Sequence, residues 1–188
     1  MIFSETPLTG AYVIDLERRE DSRGFFARTF CKNEFTANGL NPVIAQANVA
    51  HTRHKGTVRG MHFQIPPAAE TKVVCCTRGR IRDVIIDLRA ESPTYLHHFS
   101  VELSAANRTA LYVPERFAHG FQTLEPDSET SYLIGQFYSP DHERGLRADD
   151  PRLGLTWPLP IGEMSEKDRN APLLDTWHDR LRQEMTPR

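Results

Sequence analysis

The stretch RDVIIDL fills residues 82–88, between Gly79 and Pro93. A short apolar run bounded by turn-forming residues is typical of a β-strand. Similar short runs predict further strands at residues 11–16, 25–30, 57–64, 72–77, 98–103, 110–113, 120–124 and 131–137. Short strands that follow one another at this spacing predict a mostly β fold, either a sandwich or a barrel.

Helical patterns are confined to two places. The first is a short turn at residues 33–38, closed by Gly39 as a C-terminal cap. The second covers residues 171–184. Its apolar positions recur at helical spacing and are Leu173, Leu174, Trp177 and Leu181. We expect this C-terminal helix to pack its apolar stripe on the body of the protein or on a partner chain.

The composition is that of an ordinary folded domain. Of the 188 residues, 39% are apolar and 26% are charged, values typical of a chain that buries a core. The sequence has no repeat and no low-complexity linker, which predicts a single domain over residues 1–188. Lysine and arginine together number 23 against 25 acidic residues, a net charge of -2. No overall positive field attracts nucleic acid or anionic lipid, so we expect neither as a partner.

The sequence also indicates a compartment. It contains no run of about 18 apolar residues, and its first ten residues, MIFSETPLTG, lack the basic start and apolar stretch of a signal peptide. We therefore expect a cytoplasmic protein. The three cysteines, Cys31, Cys75 and Cys76, are odd in number and lack the CxxC spacing of zinc sites, which predicts reduced thiols.

The segment GTVRGMHFQ, at residues 56–64, contains two polar side chains whose relative direction matters. Strand alternation places Arg59 and His62 on opposite faces, unless a bulge at Gly60 re-aims one of them. A single histidine on a strand is either a hydrogen-bonded structural residue or a catalytic base. The local pattern does not separate these two interpretations of His62.

Two other charged positions each have a functional and a structural interpretation. Lys72 precedes the apolar run VVCC at residues 73–76, where burying an ammonium is costly unless the charge has a partner or a role. The alternative is an edge position whose ammonium reaches solvent. In the segment DSRGFF, at residues 21–26, Gly24 permits a tight turn that displays Arg23, although a solvated turn explains the pattern equally.

A metal site is an alternative to catalysis by side chains alone. His62 and His119 lie in separate parts of the β-rich region, and Glu70 could add a third ligand. Cupins that bind metals carry a His-x-His pair, but the position two residues beyond His62 is Gln64. A firm site needs about three or four protein ligands. We therefore expect no metal and keep a metal-dependent isomerase or oxygenase as an alternative.

Several segments, taken together and in order from about residue 23 to residue 174, resemble the dTDP-4-dehydrorhamnose 3,5-epimerase family. They are DSRGFF, QAN with GTVRGMHFQ, the strand at Lys72, RDVIIDLRAESPTY, LSAANRTALYVPERFAHGF, YSPDHERG, DDPRLGLTWP and SEKDRNAPLL. The resemblance implies a cupin-type β-jelly roll and a homodimer that exchanges N-terminal strands. It also implies a nucleotide-diphosphate-linked 4-keto-6-deoxyhexose as substrate, epimerised without a metal or an organic cofactor.

The resemblance assigns roles to individual residues. His62 would be the base that removes a proton from carbon 3 or carbon 5, with Asp168 as its partner. Lys72 would stabilise the charge on the oxygen at carbon 4, and Tyr132 would return a proton from the other face. The implied substrate contacts are Arg23, Arg28, Gln46, Asn48, Arg59, His119, Tyr138, Glu143 and Lys167.

The sequence departs from the family pattern at several positions. Where the family commonly has Glu, Asp, Ser, Arg and Trp, this chain has Arg28, Ala47, Ala50, Cys75 and Ala148, respectively. Arg28 reverses the charge at the expected nucleotide end of the site. A non-catalytic sugar-nucleotide binder is therefore a further hypothesis, which requires that Arg28 and Ala47 close the site.

Overall fold

A computed structural model describes residues 1–186, so the last two residues of the predicted domain lie outside the described part. The strands are β1 (Ile2–Glu5), β2 (Tyr12–Asp15), β3 (Arg19–Asp21), β4 (Gly24–Phe26), β5 (Gln46–Thr52), β6 (Val58–Gln64), β7 (Lys72–Arg78), β8 (Arg80–Asp87), β9 (His98–Ser104), β10 (Ala110–Val113), β11 (Phe117–Thr123), β12 (Ser128–Ile134) and β13 (Glu143–Gly145). The helices are α1 (Lys32–Ala37), α2 (Glu166–Arg169) and α3 (Leu174–Glu184).

Two antiparallel sheets form the body of the protein. The six-stranded sheet has the order β1-β2-β10-β7-β12-β5, and the five-stranded sheet has the order β13-β6-β11-β8-β9. Strands β3 and β4 pair with each other as a separate hairpin. This arrangement confirms the predicted mostly β, cupin-type jelly roll with short helices.

The main core lies between the two sheets. Val74 and Leu111 face inward from the six-stranded sheet, and Ile85 and Phe121 face them from the other. All four side chains are at most 1% exposed. A second cluster covers the outer face of the five-stranded sheet, and a third lies under α1. Successive residues of a strand point to opposite faces, so each sheet supplies both an inner and an outer apolar layer.

Most predicted strands coincide with observed strands, with boundaries displaced by a few residues. The prediction of a strand at residues 25–30 is wrong beyond Phe26, where β4 ends. Strands β1, β3, β5 and β13 were not predicted. The reason is clear for β5, whose sequence is QANVAHT, because its inward-facing Gln46 and Asn48 line a cavity. The strand consequently lacks the apolar alternation by which a half-buried strand is predicted.

The two predicted helices are present. Gly39 has a φ of +71°, as expected for a residue that ends α1 in the left-handed conformation. Helix α3 begins at Leu174 rather than at residue 171, since the Leu174 amide donates to the carboxylate of Asp150. Its apolar stripe packs on the five-stranded sheet. Within residues 1–186, no helix has the length and apolar character needed to cross a membrane.

A bulge in β6 re-aims the polar side chains that follow it. His62 pairs with His119 of β11, but Arg59 pairs with Phe121, so β6 has one residue more than β11 between these pairs. The extra residue brings Arg59 and His62 to the same face. Gly60 has a φ of +117°, and a Cβ atom there would lie 2.6 Å from the Cα of Gly120. The bulge therefore requires glycine.

We predict that Gly60→Ala lowers the free energy of unfolding by about 2–4 kcal/mol. The added methyl group would contact the backbone of Gly120, and a φ of +117° is unfavourable for alanine. Urea unfolding measures this difference. Gly154→Ala is the matched control, since Gly154 also has a positive φ, of +62°, but no atom within 4 Å of an added Cβ. Equal losses in the two variants would contradict the assigned close approach.

Candidate active site

A cavity of about 330 Å³ lies between the two sheets. Strands β5, β7 and β12 form one wall, and β6 and β11 form the other. The residues predicted from the sequence that line it are Gln46, Asn48, Arg59, His62, Lys72, His119, Tyr132, Tyr138 and Glu143. Asp168 and Lys167 line two neighbouring cavities that share His62 with the first. The structure therefore brings most of the predicted site residues together.

His62 and Asp168 form a close ionisable pair at the site. The Nε2 atom of His62 lies 2.6 Å from Oδ1 of Asp168. The Asp168 side chain is 5% exposed, whereas that of His62 is 37% exposed. An ionised carboxylate accepts a hydrogen bond, which places the imidazole proton on Nε2 and leaves a lone pair on Nδ1. His62 thus has the tautomer required of a base.

Asp168 is positioned by a short helix near the end of the chain. It lies in α2, where its backbone amide donates to Oγ of Ser165, the N-cap residue. The amide of Gly60 donates to its Oδ2 atom at 3.4 Å. Burial raises the pKa of Asp168, but the hydrogen bonds from His62 and Gly60 outweigh burial and leave that pKa below its ordinary value. The carboxylate is therefore ionised beside His62.

Lys72 is buried and forms an ion pair. Of the two interpretations that its sequence context allowed, the structure therefore favours a buried charge with a partner over an edge position that reaches solvent. Its ammonium Nζ atom lies 2.9 Å from Oε1 of Glu70, and the two side chains are 10% and 11% exposed. It also makes a long contact of 3.5 Å with the carbonyl oxygen of His62. The positive charge of Lys72 is consequently held inside the cavity, next to the backbone of the base.

Tyr132 approaches the cavity from the wall opposite His62. It belongs to β12 of the six-stranded sheet, while His62 belongs to β6 of the five-stranded sheet. Burial raises the pKa of the Tyr132 phenol well above its ordinary value, and the negative charge of Asp83 adds to this effect. The hydroxyl therefore keeps its proton throughout the neutral range, as a proton donor must.

A second histidine–carboxylate pair lies beside the first and was partly missed by sequence reasoning. The Nε2 atom of His119 is 2.8 Å from Oδ1 of Asp83, and both side chains are buried. The rings of His119 and Tyr132 are 6.1 Å apart in an edge-to-face arrangement. Asp83 had a sequence signal, since an acidic residue at the second position of the apolar run 82–88 is costly to bury without a partner.

The rim of the cavity holds the aromatic ring of Tyr138. The Tyr138 amide donates to the side chain of Gln46, and its hydroxyl donates to Glu143 at 2.8 Å. Glu143 also pairs with the ammonium of Lys167. Burial raises the pKa of Glu143, but its bonds with Lys167 and Tyr138 outweigh burial and lower that pKa. Tyr138 itself is 57% exposed and presents its ring to solvent.

The structure does not bring every predicted residue to the cavity. Arg23 lies on the β3–β4 hairpin with its side chain 88% exposed, and pairs with Asp21. Arg28 pairs with Glu34 at the start of α1. Neither arginine lines the cavity of its own chain.

The positions that depart from the family pattern leave the cavity open. Ala50 lines it, whereas Ala47 does not. Cys75 faces an apolar cavity on the outer side of the six-stranded sheet, and Ala148 is fully buried in the outer core. Within residues 1–186 of one chain, neither Arg28 nor Ala47 closes the cavity, so this arrangement gives no support to the non-catalytic binder.

The donors proposed for a metal ion do not form a site. Glu70 is paired with the ammonium of Lys72, and Nε2 of His119 is occupied by Asp83. Among residues 1–186, no group of three or more histidine, cysteine, aspartate or glutamate side chains is arranged to hold a metal ion. The arrangement instead offers an imidazole base, a buried ammonium and a protonated phenol around one cavity.

Comparison with known proteins gives a consistent result. A family model described as dTDP-4-dehydrorhamnose 3,5-epimerase matches residues 5–176. An enzyme of that name from Sinorhizobium fredii is 41% identical over 175 residues, 93% of this chain and 90% of the relative. The crystal structure of the enzyme of that name from Bacillus anthracis, with TDP and PPi bound, has a TM-score of 0.89 at 39% identity, covering 92% of this chain and 99% of that chain. The crystal structure of a 3'-monoepimerase from Streptomyces bikiniensis, in complex with dTDP-quinovose, has a TM-score of 0.86 at 33% identity. It covers 97% of this chain and 91% of that chain.

We predict that Asp168→Asn lowers the free energy of unfolding at neutral pH by about 1–2 kcal/mol, because a buried charge-assisted hydrogen bond is lost. The pKa of Asp168 is lower in the folded protein than its ordinary value of 3.8. Its ionised form therefore stabilises the fold above that pH, and this contribution is lost as the pH falls below it. Urea unfolding at pH values from about 6 to about 3 should show the two proteins converging in acid. A difference that stays constant with pH would contradict this assignment.

Proposed function

This chain belongs to the dTDP-4-dehydrorhamnose 3,5-epimerase family, and we propose that it inverts carbons 3 and 5 of a dTDP-linked 4-keto-6-deoxyhexose. The observation that supports this most directly is the pairing of His62 with Asp168 on one wall of a cavity whose other wall carries Tyr132. Bound TDP in the Bacillus anthracis structure and a dTDP-sugar in the Streptomyces bikiniensis structure support a nucleotide sugar as substrate.

Proton removal is the first chemical step. The ketone at carbon 4 acidifies the hydrogens on carbons 3 and 5, so a base of moderate strength suffices. Nδ1 of His62 takes the proton, and the C–H electron pair moves into the enolate while Asp168 stabilises the new imidazolium. The buried carboxylate does not itself need to accept the proton.

The enolate oxygen then requires positive charge. Lys72 supplies it, because its ammonium is held in the cavity wall close to the backbone of His62. A charge fixed before the reaction stabilises the developing oxyanion without the cost of reorganising solvent. No metal ion or organic cofactor is needed for these steps, since each role is filled by a side chain.

Reprotonation from the opposite face inverts the carbon. Tyr132 lies on the wall opposite His62, and its O–H donates a proton to the carbanionic carbon. Solvent afterwards returns a proton to the phenolate and removes one from the imidazolium. The same set of side chains acts on each carbon in turn if the sugar rotates to present carbon 3 and then carbon 5.

Residues at the cavity rim bind the nucleotide part of the substrate in this proposal. Arg59 has a guanidinium suited to the pyrophosphate. Its Nε atom donates a hydrogen bond to Oγ1 of Thr52 at 3.0 Å, which orients the side chain. The exposed ring of Tyr138 offers a stacking surface for the base. The remaining proposed contacts are Gln46, Asn48, His119, Glu143 and Lys167.

We further propose a homodimer in which Arg23 and Arg28 reach the cavity of the partner subunit. Neither side chain lines the cavity of its own chain, and the hairpin that carries Arg23 pairs with no other strand within residues 1–186. In the same range, the edge strand β5, which lines the cavity, pairs only with β12. Exposed Phe26, at 72%, gives the hairpin an apolar surface for such a contact.

Incubation with a dTDP-linked 4-keto-6-deoxyhexose in deuterated water should place deuterium on carbons 3 and 5. We predict that His62→Asn slows exchange at both carbons by at least about a hundredfold, because the amide keeps the shape of the ring but has no basic nitrogen. NMR or mass spectrometry follows the exchange, and circular dichroism checks the fold. His98→Asn, at an exposed position of β9, is the matched control.

The outcomes of this experiment are distinct. Undiminished exchange in His62→Asn would refute the role of His62 as the base. Binding of the substrate to the wild-type protein without any exchange would favour the non-catalytic binder. Exchange at carbon 3 alone would indicate a monoepimerase like the Streptomyces bikiniensis relative.

The shared site makes a separate prediction. We expect Arg23→Ala and His62→Asn proteins to be weakly active or inactive alone but to recover about one quarter of wild-type activity after unfolding together and refolding as an equal mixture. Half of the dimers are then mixed, and one of their two sites has His62 of one chain and Arg23 of the other. Absence of recovery, with mixed dimers demonstrated by differential tags, would show that Arg23 does not act across subunits.

A further inference from the structure

The carboxylate of Glu70 lines the cavity but has no part in the proton transfers described above. Its Oε1 atom lies 2.9 Å from Nζ of Lys72, and its side chain is 11% exposed. Within residues 1–186, this ammonium is the single cationic group within 4 Å of the Glu70 carboxylate. Glu70 thus forms a nearly buried ion pair with the residue that faces the enolate oxygen.

The contacts of the ammonium hold it in the cavity wall. Its Nζ atom donates weakly to the carbonyl oxygen of His62 at 3.5 Å, and its contact with Glu70 is an ion pair. An ammonium has three N–H donors. A donor that these contacts leave free is available for an oxygen atom inside the cavity.

We propose that Glu70 is a positioning residue that keeps Lys72 protonated and holds its ammonium in the cavity wall, where it faces the substrate oxygen at carbon 4. This inference rests on the proposed function for the identity of that oxygen, but the ion pair can be tested without it. A buried ammonium that loses its counter-charge is deprotonated more easily, because desolvation disfavours the charged form.

Other charged groups around Lys72 do not replace Glu70. Arg59, His62 and His119 line the same cavity and are cationic or neutral, so they do not favour a second cation. Asp83 is bound to His119, and Glu143 is bound to Lys167 and Tyr138. Within the described residues, Glu70 is the single carboxylate within 4 Å of the Lys72 ammonium.

The backbone on either side of Glu70 is held by hydrogen bonds that do not involve the Glu70 carboxylate. Gln64 donates to the carbonyl oxygen of Ala68 at 2.9 Å, and the Gly135 amide donates to that of Thr71 at 2.9 Å. These bonds fix the segment on both sides of Glu70. Replacing the carboxylate by the isosteric amide should therefore leave the fold intact.

The first test is the pH profile of solvent exchange in Glu70→Gln. Near pH 6 we expect exchange within a few-fold of the wild-type rate, and a loss relative to the wild type that grows as the pH rises and reaches about threefold or more by about pH 10, because Lys72 loses its proton earlier in the variant. Glu70→Asp, which keeps the charge, should restore most of the alkaline activity. Glu102→Gln, at a partly exposed position of β9 where Glu102 pairs with Arg80, is the matched control.

The second test observes the ammonium directly. The chain has four lysines, Lys32, Lys55, Lys72 and Lys167, so protein labelled with ¹³Cε-lysine should give four resolvable signals. Lys72→Arg assigns the signal of Lys72. In Glu70→Gln that signal should titrate about one pH unit or more lower than in the wild-type protein, while the other three should not move.

The two tests separate failure of this inference from failure of the proposed function. An unchanged titration of Lys72 in Glu70→Gln would overturn the inference whatever the activity. An equal loss of exchange at every pH would also overturn it, since that is the result of a merely structural role. Absence of exchange in the wild-type protein would count against the epimerase proposal, whereas a shifted Lys72 titration would still support the ion pair.

Discussion

The hydrogen bond between His62 and Asp168 joins two segments 106 residues apart and determines the geometry of the site. It depends on the bulge at Gly60, because the extra residue in β6 is what turns His62 to the face shared with Arg59. The amide of Gly60 in turn donates to Asp168, so the bulge and the carboxylate stabilise each other. A change in the bulge or in the carboxylate would move the imidazole of His62 relative to the rest of the cavity.

Each of three basic side chains that line the cavity is paired with a carboxylate. His62 is paired with Asp168, His119 with Asp83, and Lys72 with Glu70. Burying a charge is costly unless it is paired and hydrogen-bonded, so each pair reduces the cost of placing a polar group between two apolar sheets. The cavity therefore presents polar groups that are held in place by their partners, rather than a broad region of positive charge. This agrees with the near-neutral charge of the chain as a whole.

Within the described chain, the residues assigned to proton transfer lie at one site, whereas some of the residues predicted to bind the substrate do not. Two predicted binding residues, Arg23 and Arg28, lie away from the cavity, and β5 presents an unpaired edge beside it. An exposed strand edge is a natural site for another segment to pair. The proposed division between chemistry in one subunit and binding contributed by its partner rests on this topology.

The sequence alone determined the mostly β class, the strand at residues 82–88 and its neighbours, and the C-terminal helix. These features depend on local patterns of apolar and turn-forming residues. Motifs spread along the chain identified the family and the candidate residues His62 and Lys72. Tertiary structure decided that β5 is a strand, that Asp83 supports His119 and that Glu70 pairs with Lys72. Such contacts join residues on different strands and loops, and their energies depend on burial and distance, which local sequence patterns do not contain.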